Sequence, residues 1–381
     1  MKVAMVDPSL FTGRYDDSLC AELAAAGQEV TLFARPMRAT DAIVPEGYAY
    51  APRFFRHSEA LRGRIGEGRA FRLVKAAEYG AAAAFGKLDA LERADVVHFQ
   101  WLPLAPADRI LLRRLQGRTA LVHTVHNAQA YHSDAGVQGR GYRGLLDLFD
   151  ALVVHGDTTR RALEAQGVRR ERIHVTPHPP MRLAKAGVEE LAAISDPSVP
   201  RLLFFGTIRP YKGVDVLIEA CLSLWRSGVG FELVLAGKPF MDVAPLADAV
   251  REAGFGDRLV TDFGFLTEAR LDAHMAKADM IVFPYRHIDS SGAFLSALHH
   301  GKAMVTSDAG MFAALPASAA VRAPAGNAPA LAQALLRLIE SPAIRQAAGA
   351  GARAYGETMG SWKDMALTTI GIYRSVAASK A

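Results

Sequence analysis

Phe204-Phe205-Gly206-Thr207-Ile208-Arg209-Pro210-Tyr211-Lys212-Gly213-Val214-Asp215 is the stretch on which the fold turns. The apolar run Leu202–Phe205 before and within it reads as a strand covered on both faces, and the pattern over Val214–Arg226 reads as an amphipathic helix. Gly206 closes the strand, where the missing side chain lets a ligand come close to the backbone. Arg209 and Lys212 stand on the connecting loop, where their charges converge on phosphate together with the helix N-terminus. Simple solvation is the ordinary fate of two basic loop residues. Their place at the carboxyl end of a buried strand favours a ligand, because that is where open α/β sheets bind them.

The same alternation runs outward in both directions. Downstream, Glu232–Leu235, Leu259–Val260, Met280–Phe283 and Ala303–Thr306 read as strands, separated by helical patterns near Ala244–Ala253, Glu268–Ala278 and Ala293–His299. Upstream, Val3–Val6, Val30–Phe33, Val96–Phe99, Ala120–Thr124, Ala151–Val154 and Ile173–Thr176 alternate with helices such as Asp16–Ala26 and Asp108–Leu115. Strand-helix alternation of this kind marks doubly wound α/β domains. The rhythm breaks around Pro177-His178-Pro179-Pro180 and resumes after Pro200, so two such domains are expected, with Trp362–Ala378 as a final helix.

Composition agrees with that reading. The chain has 381 residues, half of them hydrophobic (50%) and 22% charged, which excludes a disordered or low-complexity protein. Its net charge of +5 is too small to point to nucleic acid. Cys20 and Cys221 lie far apart, so neither a disulfide framework nor a cysteine-based zinc site is expected, and no metal is assigned. No apolar run reaches the ~18 residues of a membrane span. The N-terminus reads as a strand rather than a signal peptide, so a cytoplasmic protein is expected.

A second loop carries chemistry: Pro284-Tyr285-Arg286-His287-Ile288-Asp289-Ser290-Ser291-Gly292 after the strand Met280–Phe283. Ser290, Ser291 and Gly292 offer hydroxyls and free N–H groups where a helix begins, a cradle for diphosphate. An ordinary helix cap accounts for one of the serines.

One segment departs from the pattern. Ala51–Lys75 carries seven basic residues against Glu59 and Glu67, with Phe54, Phe55, Leu61, Ile65, Phe71, Leu73 and Val74 interleaved. It reads equally as a face for anionic lipid, peripheral on the inner side of a membrane, or as a solvated helix packing its apolar side on the sheet.

The two loops, in this order, resemble the donor-binding domain of GT-B glycosyltransferases of the family 4 type. Gly206, Arg209, Lys212 and Gly213 match the family's glycine and basic pair, and Pro284-Tyr285, Gly301-Lys302 and Ser307-Asp308-Ala309-Gly310 follow in place. In the first half, Gly13, Gly27-Gln28-Glu29-Val30-Thr31, Asp95-Val96-Val97-His98 and Thr124-Val125-His126-Asn127 are similar too. The resemblance implies two Rossmann-like domains facing across a cleft, an acceptor-binding one at 1–180 and a donor-binding one at 198–361. The helix within 362–381 would be the crossover helix returning to the first domain. It further implies transfer of a sugar, in polysaccharide or glycolipid assembly, from a nucleotide-diphosphate donor to a carbohydrate or lipid-linked acceptor. Neither a metal nor any other cofactor is implied.

The chain departs from the family at its paired glutamates. Ile288 and Ser296 stand where they are expected, and Asp289 is the nearest carboxylate to the first. Asp289 is therefore the candidate for holding donor-sugar hydroxyls. His126 matches a family histidine near the donor sugar, and Gly13, His98 and His178 are further cleft candidates. Retention, as in the family, needs no strong base; inversion would need one, with Asp16 or His126 as candidates. A partner subunit without catalysis and a nucleotide-sugar epimerase of the same fold are the rival readings. Gly349-Ala350-Gly351 lacks the third glycine of a dinucleotide fingerprint, and no P-loop or nucleophile elbow occurs.

Overall fold

The computed structural model describes every residue except 40, 42, 67, 127–140, 177, 182, 289, 290, 379 and 381. The chain forms two compact units, Met1–His178 with Gly360–Ala381, and Pro179–Met359.

Unit 1 is built on β1 (Lys2–Val6), β2 (Glu29–Ala34), β3 (Ala49–Pro52), β4 (Val96–Phe99), β5 (Ala120–Thr124), β6 (Ala151–Val154) and β7 (Ile173–Val175). They pair in parallel in the order β3-β2-β1-β4-β5-β6-β7. Side chains of a strand alternate between faces. Ala4, Val6, Val97 and Phe99 therefore enter one buried layer, and Val3, Met5, Val96 and Val122 enter the other. The C-terminal helix Trp362–Ala378 closes that second layer with Met365, Ile370 and Tyr373.

Unit 2 repeats the design with β8 (Arg201–Phe205), β9 (Glu232–Gly237), β10 (Leu259–Phe263), β11 (Met280–Phe283), β12 (Ala303–Ser307) and β13 (Val321–Ala323). Its order is β10-β9-β8-β11-β12-β13, again all parallel. One continuous core joins the sheet to its helices, including the indole of Trp225 stacked on Phe231 at 5.0 Å. The glycines that fail as a dinucleotide motif have a packing role. A Cβ on Gly349 would lie 2.2 Å from the Gly301 carbonyl oxygen, and one on Gly351 would lie 2.1 Å from that of Ser318. The helix Pro342–Thr358 can approach those carbonyls only because both residues lack side chains.

Two edge strands, β3 and β13, escape the sequence reading. Both are short, and Ala49-Tyr50-Ala51-Pro52 offers little strand propensity and a proline suited only to an edge. In each sheet the strand order reverses direction once, between β1 and β4 in unit 1 and between β8 and β11 in unit 2. Crevices at the carboxyl ends of such strand pairs are the natural ligand sites of this architecture.

Candidate functional site

In unit 2 the reversal lies between the two loops singled out above. β8 is followed by Gly206, whose φ of +100° suits glycine; a Cβ there would stand 3.5 Å from Lys212 Nζ. The loop turns through Pro210–Lys212 to Gly213, which at φ +68° starts the helix Val214–Arg226. A Cβ on Gly213 would lie 2.1 Å from the Pro284 carbonyl oxygen, so only glycine lets the two loops touch.

Lys212 is only 7% exposed, and its ammonium lies 5.2 Å from the centroid of the buried Tyr285 ring. Burial first, and the charge of Arg209 second, push its pKa down to about 7. No carboxylate pairs with it among the described residues. The Tyr285 hydroxyl is also buried, beside the Ser291 side chain. Arg209 is half-buried and lies 4.1 Å over the exposed Phe240 ring, likewise without a carboxylate partner among the described residues. Uncompensated buried cations are costly, and a bound anion removes the cost.

The serine cradle is only partly as expected. The Ser291 hydroxyl caps the short helix Gly292–Ala297 by accepting from Phe294 N at 3.2 Å, and Ser291 N–H faces Met311 Sδ at 3.1 Å. Ser291 is thus a cap, and the N–H groups of Gly292 and Ala293 are left without an acceptor among the described residues. Ala293 packs beside Gly206, its Cβ 4.0 Å from where a Gly206 Cβ would be. Asp289, Ser290 and Asn127 lie outside the described residues.

The carboxyl ends of β1 and β4 in unit 1 carry different chemistry. Asp7 and Asp16 are both fully buried, and burial raises both pKa values, Asp16 the further because of its neighbour's charge. Asp7 accepts from Thr12 N at 3.0 Å, Thr12 Oγ1 donates to Asp16 at 3.4 Å, and Trp101 Nε1 donates to Thr12 Oγ1 at 3.0 Å. Asp7 Oδ1 and Asp16 Oδ2 have no donor partner among the described residues, and burial with mutual repulsion favours keeping one of the two carboxyls protonated. Asp16 is therefore enclosed in a carboxyl pair that pins the loop before the helix Gly13–Ala25, which corrects its expected place as an accessible base.

His126 lies against the indole of Trp101, centroids 5.2 Å apart and planes within 9°, and edge-on to Tyr15. Its Nε2 donates to Gln100 Oε1 at 3.0 Å, and burial with the nearby His155 and His178 holds it neutral. His178 belongs to the same group of rings, beside Tyr15, His155 and Trp362.

His98 is corrected. His98 is fully buried, its Nδ1 2.6 Å from Tyr373 Oη and its Nε2 2.7 Å from Thr124 Oγ1, with a pKa pushed down by burial to about 3. It fastens the C-terminal helix to the sheet. Gly13 is half-buried, and a Cβ there would lie 3.0 Å from Leu10 Cγ, so the glycine lets Leu10 pack against this turn.

Sequence reasoning gave no role to Asp7, Trp101, Tyr285 or Arg286. Asp7 and Tyr285 act through burial and Trp101 through its contacts with Thr12 and His126, for which an isolated aromatic or carboxylate gives no signal. Arg286 acts through a partner 71 residues away in sequence.

Comparisons with known proteins now define the class. Solved structures share the fold along the whole chain: a sucrose-phosphate synthase from Thermosynechococcus elongatus has a TM-score of 0.73 at 18% identity, covering 100% of both chains. HepE from Anabaena, solved with UDP and glucose, has a TM-score of 0.75 at 14% identity, covering 98% of this chain and all of its own. The fold is GT-B. The model described as "Glycosyl transferase 4-like domain" matches residues 12–179, and that described as "Glycosyl transferases group 1" matches residues 199–341. This chain belongs to the glycosyltransferase 4-like family.

Among curated relatives, a GDP-mannose:glycolipid 4-beta-D-mannosyltransferase of Xanthomonas campestris pv. campestris is 28% identical over 227 residues. That match takes in 55% of this chain and 60% of the relative, so the chain spans about three-fifths of the relative's length.

Proposed function

We propose that the chain transfers a sugar from a nucleotide-diphosphate sugar to an acceptor hydroxyl, with the donor held by unit 2. The observation that carries the reading is Lys212, a buried ammonium with no counter-ion among the described residues, at the carboxyl ends of β8 and β11. As the bond from the sugar to the diphosphate breaks, negative charge collects on the departing phosphate oxygens. Lys212, Arg209 and the N–H groups of Gly292 and Ala293 are fixed before that charge develops, and preorganised charge is what lowers such a barrier. Gly206 keeps the approach to Lys212 open. Two cations supply the countercharge, so the reaction is read as independent of divalent metal and of any cofactor.

Retention of configuration is taken from the family resemblance, whereas the beta-D-mannosyl product named for the Xanthomonas relative is the outcome of inversion in that protein. Retention lets the departing diphosphate take the acceptor proton, so it needs no separate strong base. Asp289 is assigned to donor-sugar hydroxyls from its place in the sequence just ahead of the Ser291 cap, and His126 to the acceptor side. The mannosyl-transferring relative acts on a glycolipid, and a lipid-linked sugar acceptor in polysaccharide or glycolipid assembly is the matching proposal here.

A surface of unit 1 supports peripheral contact with anionic membrane. Phe54, Phe55 and Phe71 point into the core, but Leu73 (72% exposed) and Phe85 (88%) do not. They share the helix Arg69–Phe85 with exposed Arg69 and Arg72, and exposed Arg64 and Ile65 end the preceding helix. Apolar insertion flanked by arginines is the chemistry of an interfacial helix. No helix among the described residues is long and apolar enough to cross a membrane.

The deciding experiment offers purified protein a panel of nucleotide-sugars with lipid-linked and free saccharide acceptors. Release of nucleoside diphosphate coupled to a new glycoside is expected. No release or transfer with any donor, while the protein is folded, would refute the reading.

A further inference from the structure

The two loops at the β8–β11 reversal are joined by one side chain. Arg286 forks onto Asp215, with Nη1 donating to Oδ1 at 2.7 Å and Nη2 to Oδ2 at 2.6 Å. Nη1 also donates to the Pro210 carbonyl at 3.0 Å, and Arg286 N–H donates to the Tyr211 carbonyl at 2.7 Å. The loop that carries Arg209 and Lys212 is thus held at Pro210, Tyr211 and Asp215 by the residue that follows Tyr285. The contact of Gly213 with the Pro284 carbonyl closes the same seam from the other side.

An isolated exposed ion pair contributes little. This one is planar and bidentate, which adds direction as well as attraction. Its two residues are 35% and 45% exposed in their side chains, so it is poorly placed to hold up the core. What it fixes is the distance between the cationic loop and the Tyr285 ring over which Lys212 lies.

We infer that Arg286 is a positioning residue for the donor: through Asp215 and the Pro210 and Tyr211 carbonyls it sets the loop on which Lys212 and Arg209 meet a nucleoside diphosphate. This rests on the donor reading above. Arg286 need not touch the nucleotide. Release of the loop lets Lys212 and Arg209 wander, and misplacement by about 1 Å is enough to degrade a preorganised site.

The test compares wild type, Arg286→Ala, Arg286→Lys, Asp215→Asn, the double variant Arg286→Ala/Asp215→Asn, and Lys212→Ala as reference. UDP and GDP are titrated calorimetrically into each, and melting is recorded without ligand. Arg286→Ala and Asp215→Asn are expected to weaken the better-bound nucleotide about tenfold, within the range for coupled neighbours. Melting is expected to move by no more than about 4 °C. The double variant should be no worse than either single one, because both break one device. Lysine keeps the charge but not the fork, so Arg286→Lys is expected to fall between. If Arg286→Ala and Asp215→Asn bind within twofold of wild type while Lys212→Ala fails, the positioning role is wrong and the donor reading stands. If wild type binds neither nucleotide, both are wrong. If one variant unfolds, the other and Arg286→Lys still decide by affinity.

Discussion

The two sheets of this protein share a strand order and a reversal point, yet the residues at the two reversals have opposite character. Unit 2 places Arg209 and Lys212 there, cations without acidic partners among the described residues. Unit 1 places a carboxyl pair, Asp7 and Asp16, and a set of imidazoles and aromatic rings around Tyr15. The fold supplies the same crevice twice, and the side chains decide what each can hold. An anionic donor suits the second, whose cations lack compensation. The first sets two buried carboxyls against each other, where burial and repulsion favour the protonated form of one.

The sharpest way to break this comparison is to remove the cations. Lys212→Ala and Arg209→Ala are each expected to cost ~2–4 kcal/mol of barrier stabilisation, seen as lost turnover at saturating donor. Near-normal turnover in both would erase the distinction between the units.

Next comes pH. In the free protein Lys212 carries its proton only up to about pH 7, and a bound diphosphate stabilises the protonated form, raising that pKa. Nucleotide affinity should therefore be flat just below pH 7 and fall as pH rises above it, by up to about tenfold per unit while one proton is taken up on binding. Titrations from pH 7 to 9 check this, and the slope should vanish in Lys212→Ala.

A smaller effect is expected in unit 1. Asp16→Asn keeps a hydrogen-bonding partner for Asp7 in place of the protonated carboxyl, so turnover should change little. Asp16→Ala leaves Asp7 buried and unpaired and should cost about 1–3 kcal/mol of stability by denaturant titration. Abolished turnover in a well-folded Asp16→Asn would instead make unit 1 the seat of a base. Tyr373→Phe, which removes one partner of His98, should lower stability by about 1 kcal/mol without touching nucleotide affinity.

The last test concerns the membrane contact alone. Neutralising Arg64, Arg69 and Arg72 should reduce sedimentation with anionic vesicles by about 1 kcal/mol per residue and leave neutral vesicles unaffected. Equal partitioning to both kinds of vesicle would return this surface to plain solvation.

Much of this contrast was legible in the sequence, for physical reasons. Central parallel strands are apolar on both faces, so β8, β11 and β12 announce themselves, and Gly206 and Lys212 follow from the strand end. The short edge strands β3 and β13 have no such signature. Within the site, spacing located Ser291 but could not tell a cap from a cradle. That depends on which N–H the hydroxyl accepts, and the answer is Phe294. Asp16 and His98 looked like cleft residues because each belongs near a strand end. Which face a side chain enters, and what awaits it there, is settled by tertiary neighbours such as Asp7 and Tyr373. The Arg286–Asp215 fork joins two segments that are separately unremarkable in sequence.

The most direct test of the central claim is a calorimetric titration of UDP and GDP into wild type and Lys212→Ala at pH 7.5, in two buffers of different ionisation enthalpy. Binding of a nucleoside diphosphate by wild type with net proton uptake, and loss of both affinity and uptake in Lys212→Ala, is the result this account expects. Binding of equal strength in the two proteins, with no proton linked to Lys212, would contradict it.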